Sequence, residues 1–317
     1  MSDPLFSPWS IGSAETLCDG ANVAIVLGLG DNTAFWALGS LTTASFLAAT
    51  RSDATRANML LFTDKEPARA AELLELNHGA ADRARVRISN FNLTELRLRL
   101  SLPSTRQLGG GDGGWVRFAL LAAFVSRHCS AARAIFNFDL RDVLFQTTPF
   151  RLAAPGHALT SFAEGTPVTS ASWNGRIILP YLDDREWQGE VNSSTIANRA
   201  TFRYMIHQRL PAVNSGAMLG SPAAFVEHAL LLNDFLMRRR SCREGGALHG
   251  VDQAVHMLLV YATLHWQKHV EHAADRGDAS TSTSAPPHVL YVIRSKAGAE
   301  RASVRSVAAR GGIERML

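Results

Sequence analysis

The chain has 317 residues, 46% of them hydrophobic and 19% charged, enough apolar material for one large α/β domain or two smaller ones and unlike a disordered composition. Its formal net charge is only +4, and its arginines are spread along the chain apart from Arg238–Arg240 and a basic tail. That excludes nucleic acid as the main partner, because such binders concentrate basic charge on one face.

Asn22 to Leu29 (NVAIVLGL) reads as a first buried strand, closed by Gly30, Asp31 and Asn32. Asn32 or Thr33 caps the next helix, whose apolar face is predicted to carry Phe35, Leu38, Leu41 and Phe46. Met59 to Phe62 is a second strand ending at Thr63 and Asp64, and Pro67 opens a second helix that runs to Leu76. Arg85 to Ser89 is a short third strand. Strand, helix, strand, helix, strand is the rhythm of a parallel sheet with right-handed crossovers.

The flexible run Gly109 to Gly114 leads into a helix from Trp115 to His128, with Phe118, Leu121, Ala122 and Val125 at helical spacing. That helix delivers the chain to the central stretch Ala134 to Phe150, AIFNFDLRDVLFQTTPF. Ala134, Ile135, Phe136 and Phe138 have the composition of a buried strand, which meets Asp139, Arg141 and Asp142, resumes as Val143, Leu144 and Phe145, and stops before Pro149. An unpaired charge inside an apolar strand costs several kcal/mol, so Asp139 and Asp142 belong at the carboxyl edge of the sheet, where open α/β folds hold ligands. Two hard oxygen ligands there suit Mg²⁺ or Mn²⁺ on a diphosphate; the plainer alternative is a salt-bridged turn without a ligand.

His157 to Phe162 reads as a further strand ending in Glu164 and Gly165, while Thr166 to Ile206 has no clear pattern. Val213 to Gly220 is a short apolar run interrupted by Asn214, Ser215 and Gly216. Pro222 opens a long helix with Phe225, Ala229, Leu232 and Phe235, and Gly250 to Leu264 is another with Asp252 and Gln253 in its first turn. Asp275 to Pro287 is a low-complexity linker, followed by a strand at Val289 to Ile293 and the basic tail. The organisation is therefore an N-terminal segment (1–20), one main domain (21–272), a linker (273–288) and a terminal strand with its tail (289–317).

Each candidate has a structural alternative. Gly28-Leu29-Gly30 invites comparison with the dinucleotide fingerprint but has Thr33 where the third glycine belongs, so a plain strand-to-helix turn is favoured. Arg117 is a surface charge or a diphosphate contact. Asn214-Ser215-Gly216 is a bare turn or part of a pocket, and Asp252 with Gln253 is a helix cap or a pair of site residues. The eleven histidines show no metal-ligand spacing and read as surface or helix-end residues. Cys18, Cys129 and Cys242 are too few and scattered for a disulfide framework, and their odd number favours a reducing compartment. The N-terminus carries no signal-peptide pattern, and no stretch approaches the roughly 20 apolar residues that span a bilayer.

Taken in order, Arg117, Asp139-Leu-Arg141-Asp142-Val-Leu-Phe145-Gln146-Thr-Thr-Pro149-Phe150, Asn214-Ser-Gly216 and Asp252-Gln253 resemble the nucleotide-diphospho-sugar transferases, glycosyltransferases of the GT-A fold. The likeness is closest to members whose central motif reads Asp-x-Arg-Asp-Val-x-Phe-Gln-x-x-Pro-Phe. It implies a GT-A-like α/β fold, a mixed, mostly parallel sheet flanked by helices. It implies a metal-dependent transfer of sugar from a UDP- or GDP-sugar to a glycan, protein or small-molecule acceptor, retention favoured over inversion. By the resemblance, Asp139 and Asp142 hold Mn²⁺ or Mg²⁺ in a DxD-like motif, Arg117 or Arg141 steadies phosphate, and Asn214, Gly216, Asp252 and Gln253 line the sugar-donor pocket, the last two as catalytic residues. The chain departs from the family pattern in the three-residue step from Asp139 to Asp142 and in lacking a late histidine motif. The alternatives are a catalytically impaired nucleotide-binding relative and a dinucleotide-binding oxidoreductase. Compartment stays open, the Golgi if an anchor is missing and the cytoplasm otherwise.

Overall fold

Asn22–Gly28 is apolar at nearly every position and is buried on both faces, as a central parallel strand must be. The computed structural model describes residues 17–30, 32–51, 56–74, 84–92, 94–96, 113–140, 143–153, 156, 158–169, 171–172, 174–176, 199–237, 250, 252–263 and 290–295. In chain order these form β1 (Asn22–Gly28), α1 (Thr33–Ala49), β2 (Ala57–Thr63), α2 (Pro67–Leu73), β3 (Val86–Asn90), α3 (Gly113–His128), β4 (Ala134–Phe138), β5 (Ala158–Pro167), α4 (Arg199–His207), β6 (Pro211–Gly220), α5 (Pro222–Met237), α6 (252–263) and β7 (Leu290–Ser295).

The seven strands make one sheet in the order β3-β2-β1-β4-β6-β5-β7. β6 pairs antiparallel with β4 and β5, and every other pairing is parallel. The fold is thus a mixed α/β architecture with a mostly parallel sheet flanked by helices. One apolar layer lies under α3, α5 and α6, and a second lies under α1 and α2. The chain moves from β1 outward through β2 to β3 and then returns to the other side of β1 as β4, so the strand order reverses between β1 and β4. In open α/β sheets this is where ligands bind, outside the carboxyl ends of the strands.

Several local expectations change. Asn32 caps α1, its side-chain oxygen accepting from the N–H groups of Ala34 and Phe35. The helix buries Trp36, Gly39, Thr42, Thr43, Phe46 and Leu47, whereas Leu38 and Leu41 are exposed. The reason is steric at Gly39: a Cβ there would meet Leu140 Cγ at 2.9 Å, so this position of the buried face takes no side chain. The central strand stops at Phe138 and does not resume; Leu144 is 70% exposed, and Phe145 turns back onto Phe46 and Phe138. β5 extends to Pro167, past the expected end, and Arg199–His207 is a helix in the region without a sequence pattern.

The cysteine reading is also corrected. Cys18 and Cys129 form a disulfide with a Cα–Cα distance of 5.0 Å, tying the segment that precedes β1 to the residue that follows α3; this removes the support for a reducing compartment. Cys242, the linker and the basic tail lie outside the described residues. No helix among the described residues is long and apolar enough to cross a membrane.

Candidate active site

Five elements converge at the carboxyl edge of β4. Asp139 follows β4 directly, and Glu164 lies in the second half of β5. Because β6 runs against its neighbours, it brings its first half, Asn214 to Gly216, to the same edge. α3 and α6 run back down the sheet, so their N-terminal ends, carrying Arg117 and Asp252-Gln253, also arrive there. The pairing of β5 with β6 slips from Ser161↔Met218 to Phe162↔Asn214, which leaves residues 215–217 opposite β4 alone. Such irregularities re-aim side chains beside functional sites. The Asp139 N–H donates to the Gly216 carbonyl at 2.8 Å, extending the β4–β6 ladder by one bond.

The centre of the cluster is Arg117, 6% exposed. Its Nη1 donates to Asp139 Oδ1, and its Nη2 donates to Asp252 Oδ2 at 2.9 Å and to Ser215 Oγ at 3.3 Å. The Ser215 hydroxyl donates to the same Asp252 oxygen at 2.9 Å. Burial alone lowers the affinity of this guanidinium for its proton, but the Asp139 and Asp252 carboxylates outweigh it and the pKa is raised. Arg117 is therefore neither a surface charge nor a group with free terminal nitrogens. It also lies 4.9 Å over the Phe118 ring. Its Nε and Asn137 Nδ2 are buried without hydrogen-bond partners, and both residues border a narrow pocket with Val26, Leu27, Phe62, Leu120 and Leu121 at the β1–β4 switch point.

A second network adjoins the first. Glu164 Oε1 accepts from Asn214 Nδ2 at 2.9 Å and from Gln253 Nε2 at 3.3 Å, and Glu164 Oε2 accepts from Asn174 Nδ2 at 3.4 Å. Gln253 Nε2 also donates to Asn174 Oδ1 at 2.7 Å, and the Gly216 N–H donates to Asn214 Oδ1 at 2.5 Å. Neighbours on α6, Asp252 and Gln253 thus tie the guanidinium network to the amide network. No backbone N–H among the described residues donates to Asp252, so its carboxylate serves Arg117 and Ser215 and caps no helix.

Of the residues singled out from sequence, the structure brings together Arg117, Asp139, Asn214, Gly216, Asp252 and Gln253. Arg141 and Asp142 lie outside the described residues. Sequence reasoning missed Glu164 and Asn174 as members of the site. The only signal for Glu164 was a carboxylate ending an apolar strand, and Asn174 carried none. It also missed His228 and His256, both fully buried and joined by a 3.1 Å contact between His256 Nδ1 and His228 Nε2. Burial drives His228 down to about 3, and it drives His256 well below the usual range with help from His228 and the Arg117 cation.

Asp139 Oδ1 and Asp252 Oδ2 both face the guanidinium, and among the described residues no three His, Cys, Asp or Glu side chains stand close enough to hold a metal. The described donor set on its own does not fit Mn²⁺ or Mg²⁺. A Cβ on Gly28 would lie 2.7 Å from the Trp36 ring, so the first glycine of the Gly28–Gly30 turn admits the close packing of α1 on β1. The Gly30 N–H is turned to Asp64, and its carbonyl accepts from Trp36 Nε1 at 2.9 Å.

No family model matches the chain, and no curated protein matches it in sequence. Among solved structures, the galactosyltransferase LgtC, in complex with donor and acceptor sugar analogs, is similar at a TM-score of 0.43 and 10% identity, over 75% of this chain and 70% of that one. Mouse xyloside xylosyltransferase 1, in its apo form, is similar at a TM-score of 0.41 and 16% identity, over 75% of this chain and 80% of that one.

Proposed function

We propose that the chain is a glycosyltransferase that moves a sugar from a nucleotide-sugar donor to a hydroxyl-bearing acceptor. One observation carries this reading: Asp139, Asn214-Ser215-Gly216 and Asp252-Gln253, each singled out from a different part of the sequence, meet around Arg117 at the carboxyl edge beside the strand-order reversal. A bare salt-bridged turn accounts for Asp139 but leaves no reason for the two other motifs to share its partners.

In this reading Arg117 acts from behind the site. It holds Asp139 and Asp252 in place, and its charge sets the field at the donor diphosphate without direct contact. Asn214, Gly216, Asp252 and Gln253 form the wall of the sugar pocket, with Asp252 and Gln253 nearest the reacting carbon. Fixed polar groups aimed at developing charge are the largest source of rate enhancement in such a site. Mn²⁺ or Mg²⁺ dependence, retention of configuration and a UDP or GDP donor are the finer parts of the proposal. The ion would be held by Asp139 together with Asp142.

The test is incubation with a panel of UDP- and GDP-hexoses, each with MnCl₂ or EDTA, followed by measurement of nucleoside diphosphate release. Release from at least one donor supports the reading. Thermal stabilisation by NAD(P) but by no nucleoside diphosphate would replace it with the oxidoreductase alternative.

A further inference from the structure

We infer that Glu164 is a positioning residue that sets the polarity of the sugar pocket, an inference that rests on the reading above. An ionised carboxylate is acceptor-only, whereas a carboxamide can present either end. Glu164 is the single charged member of the second network, and no cationic side chain among the described residues pairs with it. Its two oxygens accept from Asn214, Gln253 and Asn174, which obliges all three amides to turn their nitrogens toward it.

The consequences propagate. With its nitrogen on Glu164, Asn214 has its oxygen on the Gly216 N–H, so both of its ends are engaged. With its nitrogen on Glu164, Asn174 gives its oxygen to Gln253. Gln253 then spends both amide hydrogens, one on Glu164 and one on Asn174, and its Oε1 is the one oxygen of the network with no donor among the described residues. At Gln253 the network therefore offers an acceptor, and a group that meets this oxygen must donate. A hydroxyl of the transferred sugar has that chemistry; a ring oxygen or a phosphate oxygen does not.

Glutamine at 164 would break this arrangement in either orientation. With its nitrogen in the Oε1 position it meets two donors, Asn214 and Gln253, and freeing Asn214 to turn would strip the Gly216 N–H of its acceptor. With its nitrogen in the Oε2 position it turns Asn174, which turns Gln253 in sequence and presents Nε2 to the sugar. Aspartate at 164 keeps the acceptor-only character with a shorter reach.

The experiment compares wild type, Glu164→Gln and Glu164→Asp. Affinity for UDP and GDP is measured by calorimetry, and KM and kcat are measured for the preferred nucleotide hexose from the donor panel. Glu164→Gln is expected to bind the nucleoside diphosphate as wild type does while its kcat/KM for the nucleotide sugar falls roughly ten- to a hundredfold, the effect of a reversed buried hydrogen bond. Glu164→Asp is expected to recover most of that loss. Wild-type kcat/KM in folded Glu164→Gln overturns the inference and leaves the transferase reading intact. A wild-type protein that binds neither nucleoside diphosphate nor nucleotide sugar overturns both. If Glu164→Gln does not fold, Asn174→Leu decides: a loss of at least threefold in kcat/KM with unchanged nucleoside diphosphate affinity supports the inference, and no loss overturns it.

Discussion

A Cβ on Gly216 would lie 1.8 Å from Asp139 Oδ2, so the carboxylate that follows β4 occupies the space a side chain on β6 would take. Two motifs that are 77 positions apart in the chain (216 minus 139) are one fitted unit in the fold. Gly216→Ala is therefore expected to push Asp139 off Arg117. The glycine is buried within a strand and must give way, so the expected cost is about 1–3 kcal/mol, typical of overpacking. Donor turnover should fall far more, by about a hundredfold, since a misplacement of 1 Å can cost that much. Urea denaturation and nucleotide-sugar turnover measured on the same preparation separate the two effects.

Removing the cation at the centre should be costly to the fold as well. Arg117→Met leaves the Asp252 side chain, 12% exposed, and the Asp139 side chain, 38% exposed, facing each other's charge. Breaking a buried pair costs about 3–5 kcal/mol, and the exposure of Asp139 places this case toward the lower end. The double variant Arg117→Met/Asp252→Asn is expected to recover part of the loss, which a double-mutant cycle in urea would report.

The buried imidazoles predict an acid-sensitive fold. His228 is held down to about 3 and His256 well below its ordinary value, so both are neutral when folded, while in the unfolded chain each takes a proton near pH 6.5. Below that pH the unfolded state binds more protons, and stability falls as pH drops from about 6.5 toward 3. The slope is up to about 1.4 kcal/mol per pH unit for each ring, and the pair contributes none above pH 7.5. His256→Gln keeps a polar partner for His228 and should roughly halve this slope in urea titrations between pH 6.5 and 4.5. An unaltered slope would mean that the acid response arises elsewhere.

The Cys18–Cys129 bond links positions 111 apart in sequence, and the chain-entropy model assigns a loop of that length about 4–5 kcal/mol. Cys129→Ser is expected to lower the urea midpoint by an amount equivalent to about 2–5 kcal/mol. Thiol counting on the unreduced protein in guanidinium should find one reactive cysteine, Cys242, where three would show that the bridge does not form.

The β-α-β rhythm and most strand positions were legible because buried parallel strands are largely apolar runs, and the unbroken stretch Met59 to Phe62 within β2 is the plainest case. The α3 face was legible for the same kind of reason: Phe118, Leu121, Ala122 and Val125 recur at helical spacing and are all buried. The α1 face was not, because hydrophobic residues lie all round that helix, and the choice between Leu38 and Gly39 depends on what the sheet presents opposite. The motifs Asp139, Asn214-Gly216 and Asp252-Gln253 could be named from their order and assigned to one site by resemblance, but the contacts that join them through Arg117 and Glu164 could not be read from the chain.

By itself the sequence determined the alternation of strands and helices, the edge at which Asp139 must lie and which polar residues stood out from apolar surroundings. These follow from local patterns and from the cost of burying charge. Tertiary structure alone decided that Arg117 is a brace between two carboxylates, that Glu164 and Asn174 belong with Asn214 and Gln253, and that Cys18 meets Cys129. Each of those relationships spans 10 or more positions and depends on β6 running against its neighbours or on the helices running back down the sheet, and no spacing rule in the chain encodes such a meeting.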